Sequence, residues 1–517
     1  NIDELRLYNG ALAGLSIKQS EDQGPNTILA DGPAKFVINP TNTSVAEGQS
    51  AAFTAAAVGY LPITYQWFKG GSLVSGATNS SYSFATAIGD NGATIQCWAT
   101  NTIGITTYVT NSTTATLNVF VPPTLAWLDG AGGAIDTDWN TTSPNWTNVA
   151  GGPVTTFASL DGALFDSRGS GSPTVNLTQP LNPSKVTVNA AGDYLLTSFA
   201  VNGSLTGQGI INKQNSGKLT IDVTNTMSGG MTISGGTLQI GNGGTAGTAG
   251  TGNITNNATL VFNRSDSLTV GNLIRGAGSL RLDGFGTVTL AGANEYTGST
   301  LINAGIAILP GASGLGSPGG GTVVASGGQL YITGNVPVGA EALTLNGIGD
   351  LNGALRKGGA GLTTYAGTVT LASDSTIGVD GGATLELSGV PAVNGAGVLT
   401  KNGGGTLALN SASTYSAGMI LDTGILGYNA NGGFGSGGVT TTPTSTGRIV
   451  LGDGTTLANA ITADSVNPGA ALGFIMTGDN TNNTVTTVTG PITFNADATT
   501  GGVGVERLPR VGRRERL

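Results

Sequence analysis

The side chains in this sequence that could perform chemistry are mostly scattered aspartates, and three of them fall close together near residue 130. Asp136 and Asp138 are two positions apart, so on a strand both would point to one face, and Asp129 shortly precedes them. Together they could contribute to a Ca²⁺ site, which takes roughly six to eight oxygen ligands. The alternative is that all three are turn or capping residues. They are therefore candidate metal ligands only.

Other groups suited to catalysis are few. The sequence has no His, the commonest general base, and a single Cys, Cys97. An inverting glycosidase needs two carboxylates roughly 6.5–9.5 Å apart, yet the later acids fall in separate turns and form no repeated pair. These acids are Asp222, Asp266, Asp283, Glu295, Asp350, Asp374, Asp380 and Glu386. The sequence predicts no catalytic residues and no cofactor, and hence a protein that is not an enzyme.

Charge and composition narrow the classes of partner. The net charge of −9 and the pI near 4.5 disfavour nucleic acid, whose binding needs a basic surface. The sequence contains no run of 18 consecutive apolar residues, so it predicts no transmembrane helix. Only 9% of residues are charged, so Thr, Ser, Asn and Gly must cover the surface, which suits a secreted or cell-surface protein. Polysaccharides or cell-surface glycans are the partners left open.

Four copies of a short pattern must organise the last two-thirds of the chain. Each copy begins and ends with Gly, has an aliphatic third residue, and has Lys or Leu at its fifth position. The paired glycines are Gly209 and Gly217, Gly278 and Gly286, Gly353 and Gly361, and Gly397 and Gly405. In three copies a bulky residue follows 14 positions after the Lys or Leu: Met227, Tyr296 and Tyr415. Recurrent short strands and glycine turns predict a stacked β-solenoid.

The strands after residue 174 alternate with a period of two, and no helical period is sustained. Leu, Val and Ile are expected inside and Thr outside. The interval between copies is longer than one turn, so each copy marks one turn among two or three. With about 20–25 residues per turn, a solenoid over 124–500 would have about 15–19 turns and extend for about 70–90 Å.

The segment 127–457 resembles the autotransporter-associated β-strand repeat family. The best copy reads GAGSLRLDGFGTVTLAGANEYTGSTLINAG, from Gly276 to Gly305. This resemblance implies a long right-handed parallel β-helix, a secreted passenger or stalk at a bacterial surface, and no chemistry of its own.

Residues 33–121 resemble a bacterial immunoglobulin-like domain, a β-sandwich. Trp67 matches the buried Trp of its third strand and Cys97 matches its second Cys, but Ala55 occupies the first-Cys position, so no disulfide is expected. Residues 1–20 resemble the C-terminal end of a laminin-G/concanavalin-like jelly roll. The alternative there is an ordinary edge strand with a tail.

Two further segments complete the domain prediction. The Trp-rich start of the solenoid, 124–170, contains Trp127, Trp139 and Trp146, which would either cap the apolar end of the solenoid or offer a sugar-stacking platform. The basic tail, 505–517, is predicted to be unstructured.

Two function classes remain. The first is a non-enzymatic secreted or cell-surface scaffold, an adhesin-like stalk. The second is an accessory arm, a carbohydrate-binding or spacer module, of a larger carbohydrate-active protein whose catalytic domain lies outside this chain.

Overall fold

The computed structural model describes residues 32–464 apart from 172, 201 and 351, and residues 475–477, 485–495 and 505–507. The prediction for residues 1–20 lies outside this range. The described residues form two compact units that divide between Thr124 and Leu125, with 160–162 belonging to the first. Both units are built from β-strands, and their only helical segments are short 3₁₀ turns. The described residues contain no helix long and apolar enough to cross a membrane.

The first unit is a β-sandwich with mostly antiparallel pairing. The central pair aligns Trp67 with Cys97, and Ala55 is buried in the same core. Its strands are Lys35–Ile38, Thr43–Ala46, Ser50–Thr54, Ala56–Val58, Thr64–Lys69, Ser72–Leu73, Ser81–Ala85, Thr94–Ile103, Thr106–Asn111 and Ala115–Phe120, with a 3₁₀ turn at Ile88–Asp90. Cys97 is a free, buried thiol whose pKa burial raises to about 11, which leaves it inert at neutral pH.

The Trp-rich segment consists of short strands, three of which pair antiparallel before the parallel stacking begins. They are Thr124–Trp127, Asp138–Trp139, Trp146–Asn148, Val154–Thr155 and Gly162–Phe165, with 3₁₀ turns at Gly130–Gly132 and Ser167–Gly169. The side chains of this segment cover the start of the solenoid core.

From Thr174 the chain winds as a parallel solenoid of about 14 turns. One face consists of Lys185–Asn189, Ile210–Gln214, Met231–Ile233, Ile254–Asn256 and Ile274–Arg275; we call it the first face. The other strands form two parallel ladders that meet in the long strand Val369–Val379. The first ladder stacks Thr174–Leu177, Tyr194–Thr197, Lys218–Asp222, Thr237–Ile240, Thr259–Phe262, Ser279–Leu282, Thr300–Ile302, Thr322–Val324, Leu343–Gly347, Val369–Val379 and Val393–Gly395. The second ladder stacks Ser267–Val270, Thr287–Leu290, Gly305–Leu309, Gly328–Ile332, Leu355–Lys357, Val369–Val379, Leu399–Asn402, Met419–Leu421, Val439–Thr441, Ile461–Ala463 and Ile492–Phe494.

Smaller sheets close the turns. Pro180–Leu181, Ser204–Leu205 and Thr224–Asn225 form one, and Thr456–Leu457 pairs with Thr487–Val488. Later turns add Gly361–Tyr365, Ala383–Leu387, Thr406–Leu409, Ile425–Tyr428, Arg448–Leu451, Ile475–Thr477 and Val505–Arg507.

Equivalent residues of successive turns stack in register. Leu219 lies beside Leu238, a step of 19 residues, and Leu343 lies beside Val369, a step of 26. Apolar side chains point inward and Thr side chains mostly outward, as in Ser279–Leu282 and Thr287–Leu290. The predicted fold class is therefore confirmed: an all-β chain with a sandwich followed by a parallel β-solenoid.

Two details differ from the sequence prediction. The solenoid has about 14 turns rather than 15–19, because its opening segment is antiparallel and some turns are longer than 25 residues. At about 4.8 Å per turn the stacked part extends for roughly 65–70 Å. Of the basic tail 505–517, predicted to be unstructured, the structure describes only Val505–Arg507, which is a strand paired with Ile475–Thr477; residues 508–517 lie outside the described range. The open edge of the sheet offers unpaired backbone groups that such a strand satisfies.

Candidate functional site

The Trp-rich start forms a closed aromatic cluster. Trp127, Trp139 and Trp146 are each 0% exposed, and the ring centroid of Trp146 lies 5.1 Å from that of Trp127 and 5.3 Å from that of Trp139. Phe157 and Phe165 pack against the same rings. Because no ring face is open to solvent, these side chains cannot stack on a sugar, and the cluster acts as the cap of the solenoid core.

The three aspartates near this cap serve local structure. Asp136 accepts hydrogen bonds from the Asp138 amide (2.8 Å), Ser143 (3.1 Å) and Asn145 (2.5 Å). Asp138 accepts one from the Asn176 side chain at 2.7 Å.

Asp129 accepts from the amides of Gly132 and Gly171, at 2.8 and 3.0 Å. Across the described ranges no three His, Cys, Asp or Glu side chains are grouped as a metal would need. The geometry therefore does not bring Asp129, Asp136 and Asp138 together as ligands.

The motif glycines lie where successive turns touch. A Cβ added to Gly217 would overlap the carbonyl oxygen of Gly192, and one added to Gly286 would overlap that of Asp266. The same backbone overlap applies to Gly209, Gly278, Gly397 and Gly405. In the third copy, Gly353 and Gly361 also have positive φ, +120° and +109°. Close approach of neighbouring turns, rather than φ alone, is what requires glycine at most of these positions.

The lysines at the fifth position of the motif point into the core, which was not expected from the sequence. Lys213, Lys357 and Lys401 are each 0% exposed. The Nζ of Lys401 donates to the carbonyl oxygens of Asn402 (2.8 Å), Gly403 (2.6 Å) and Thr423 (3.1 Å). Thr423 belongs to the next turn, so one ammonium ties two turns together.

The other two lysines do the same. The Nζ of Lys213 donates to the carbonyls of Gln214, Asn215 and Gly235, at 2.6, 2.8 and 3.1 Å.

The Nζ of Lys357 donates to the carbonyls of Gly358 (2.6 Å) and Gly359 (3.2 Å) and to the side-chain oxygen of Asn335 (3.0 Å). Burial lowers the pKa of Lys401 to about 7 and that of Lys213 to about 8, and it also lowers the pKa of Lys357. In the second copy the position is Leu282, which is buried as an ordinary core residue.

The bulky residue of the repeat is also internal. Tyr296 and Tyr415 are 0% exposed, and Met227 is 2% exposed. Two residues before Tyr296, the Asn294 side chain accepts from the Ile274 amide (3.0 Å) and donates to the Gly314 carbonyl (2.8 Å). Asn294 thus bridges the turns on either side of its own.

A second buried polar group lies in the middle of the solenoid. Thr300 and Thr322 occupy inward positions of the Leu ladder, and Thr322 donates to Glu341 at 2.8 Å. Tyr296 shares a hydrogen bond of 2.5 Å with Thr300. The other carboxylate oxygen of Glu341 has no hydrogen-bond partner within the described part of the chain, and burial raises the pKa of Glu341 to about 7.

The inward lysines and the environment of Glu341 were not predicted from the sequence. A signal for the lysines was present, because the third and fifth motif positions are two apart and must share a face. Ile211 and Lys213 are such a pair, and Leu399 and Lys401 are another. No repeated pattern marks Glu341.

Comparison with known proteins supports the repeat. A family model described as Passenger-associated-transport-repeat matches residues 211–240, 280–306 and 399–426. These ranges coincide with the first, second and fourth copies, and the third copy, which lacks the bulky residue, is not among them. The predicted autotransporter-type repeats are thereby confirmed for these ranges, which make up well under half of the chain.

Two individual proteins are similar to parts of the chain. The adhesin BmaC autotransporter of Brucella suis biovar 1 (strain 1330) is 37% identical over 87 residues, which is 17% of this chain and 2% of that protein. The chain thus spans a very small share of this relative. The solved structure of Sidekick-1 immunoglobulin domains 1–5 matches at 17% identity and a TM-score of 0.15, over 21% of each chain, too weakly to support an argument. The assignment of residues 33–121 to the immunoglobulin-like family stays a prediction.

Proposed function

We propose that this chain is a non-enzymatic, adhesin-like protein of the bacterial cell surface or secreted fraction, with the solenoid serving as its stalk. The observation that supports it most is the passenger-type repeat, found in three copies within one continuous parallel solenoid. The similarity to part of an autotransporter adhesin points the same way. Surface glycans are the proposed partners.

The interior of the solenoid fits a mechanical role. Each turn is hydrogen-bonded to both neighbours along its strands, and buried Lys401 and Asn294 add side-chain bonds between turns. Stability in such a stack comes from nearest-neighbour interfaces, so length can grow without a new core design. A spacer that holds a binding surface away from a cell needs this property and no catalytic group.

Beads coated with the purified chain test the adhesive part of the proposal. They should attach to glycan-bearing cell surfaces more than beads coated with an unrelated acidic protein of similar size. Attachment no better than this control would contradict the proposal.

A separate assay tests the non-enzymatic part. The chain is incubated with pectin, alginate, xylan and fucoidan, and no new reducing ends or unsaturated products should form. Turnover that is lost on Asp136→Asn or Asp138→Asn would overturn the proposal and make the capping segment an active site.

A further inference from the structure

A polar groove crosses the first face of the solenoid. It has a volume of about 440 Å³, within the range of small-ligand sites. Its walls are the outward side chains of Thr232 and Thr255 on one side and the turns at 228–230 and 252–253 on the other, and Arg275 stands at one end. We call it the Arg275 groove.

The groove exists because its floor is glycine backbone. A Cβ on Gly252 would overlap the amide nitrogen of Gly230, and a Cβ on Gly229 would overlap the carbonyl of Gly209. Close stacking therefore excludes side chains from this strip. What remains is a trench where backbone groups, hydroxyls and the Asn253 side chain face solvent, a lining suited to many hydroxyl contacts.

Arg275 is the charged residue of this lining. It is stacked directly on Thr255, which is stacked on Thr232, so the three side chains form one outward row. Its Nε lies 3.4 Å from the Thr255 hydroxyl.

Arg275 also differs from most other arginines of the described chain. Arg168, Arg264, Arg281 and Arg356 each form an ion pair with an aspartate. Arg275 pairs with no carboxylate among the described residues, so its guanidinium fork is available to a ligand.

We propose that the Arg275 groove binds an acidic saccharide through its carboxylate, with a uronic acid as the recognised sugar. A guanidinium matches a carboxylate with two parallel N–H···O bonds, and a charge-assisted pair is about twice as strong as a neutral one. The hydroxyls of Ser228, Thr232 and Thr255 and the amide of Asn253 face the remaining sugar oxygens. This assignment rests on the proposed adhesive function for its biological meaning, and it names the ligand class.

The neighbouring carboxylate of Glu295 provides a second variant for testing the proposal. Glu295 lies one turn beyond Arg275, where its amide donates to the carbonyl of Ile274 at 2.8 Å. Its exposed carboxylate forms no ion pair with Arg275 but opposes any anion bound there. Removing that charge should strengthen binding of an anionic sugar and leave binding of a neutral one unchanged.

The experiment measures binding of tetragalacturonate to the full chain by calorimetry at low salt, with its methyl ester as the uncharged probe of the same shape. Arg275→Gln should weaken tetragalacturonate binding at least about tenfold, Arg275→Lys should weaken it less, and Glu295→Gln should strengthen it. Arg448→Gln is the matched control, because Arg448 lies on another sheet and also has no ion pair in the described structure. Circular dichroism checks that each variant is folded.

Three results would overturn the assignment: no binding of tetragalacturonate at millimolar concentration, equal binding of the methyl ester, or unchanged affinity in Arg275→Gln. The increase expected for Glu295→Gln cannot arise from misfolding, so it keeps the test decisive if an arginine variant is unstable. Bead attachment that persists in Arg275→Gln would leave the adhesive function standing while removing this site from it.

Discussion

Replacing Lys401 with Met isolates the contribution of a buried ammonium to the solenoid. The substitution keeps the length of the apolar stem and removes the group that donates to the carbonyls of Asn402, Gly403 and Thr423. Each buried carbonyl left without its donor costs about 1–3 kcal/mol. Removing the ammonium also removes the cost of burying it, which offsets several kcal/mol of the sum over the three carbonyls. We expect Lys401→Met to lower the local free energy of opening by about 2–4 kcal/mol at pH 7.

The chain supplies its own control. Leu282 occupies the same motif position and is buried without polar contacts of its side chain. Leu282→Met is a volume-conserving apolar exchange and should cost less than about 1.5 kcal/mol. Comparing the two variants separates loss of the ammonium from the general effect of introducing Met.

Hydrogen exchange followed by mass spectrometry measures both variants locally. Peptides covering 399–405 and 419–424 should lose protection in Lys401→Met, while peptides covering 210–214 should not, because each turn contacts only its neighbours. If Lys401→Met lowered protection no more than Leu282→Met does in its own turn, the role of the lysines in tying neighbouring turns together would be wrong.

The same residue gives a pH dependence. Burial lowers the pKa of Lys401 to about 7, from about 10.5 in the unfolded chain. Between these values the unfolded chain holds a proton that the folded chain has lost, so opening should become less favourable as pH rises from about 7 toward 10. Lys401→Met should flatten this rise, and a wild-type stability that fell over this interval near residue 401 would contradict the assignment.

Three further outcomes follow from the geometry. Burial raises the pKa of Glu341 to about 7, so the stability that Glu341 contributes is present below about pH 4.5 and is lost as the pH rises through 7. In thermal melts, Glu341→Gln should therefore have a higher melting temperature than wild type at about pH 8 and nearly the same melting temperature at about pH 4.5. Gly286→Val should lower exchange protection around residue 286 and in the turn containing Asp266, whose carbonyl the new Cβ would overlap, and unchanged protection there would disprove the close contact. Deleting 261–280 removes one whole turn and should leave the far-ultraviolet β signal and cooperative melting intact, whereas deleting 266–275 shifts the register by half a turn and should abolish them.

The sequence predicted the period and the inside-outside pattern of the solenoid because both follow from backbone geometry. Side chains along a strand alternate with a period of two, and the glycine-containing tight turns set the number of residues in each turn of the solenoid. It could not decide between a cap and a sugar platform for Trp127 and its neighbours, since both uses call for clustered aromatics. Only the burial of all three Trp rings separates them.

The buried polar side chains of the solenoid could not be predicted from the sequence for a different reason. Lys is almost never fully buried unless it is paired, so composition alone places Lys213 and Lys401 outside. Strict alternation placed them inside, next to Ile211 and Leu399, and alternation was the better guide. The partners are backbone carbonyls of glycine turns, which carry no side-chain signature. The position of Arg275 at a groove could not be predicted from the sequence either, because the groove is formed by residues of several stacked turns.

These buried polar groups solve a problem that the apolar core leaves open. A strand that slipped by two residues against its neighbour would keep every Leu inside and every Thr outside, so alternation cannot exclude that error. Lys401 lies opposite Leu421, and in this register its Nζ reaches the Thr423 carbonyl of the next turn. A two-residue slip would bury the ammonium with fewer acceptors, which costs several kcal/mol. At the turns that they join, the lysines therefore favour the observed register, and a solenoid with all three replaced by Met should keep its β content while losing cooperative unfolding.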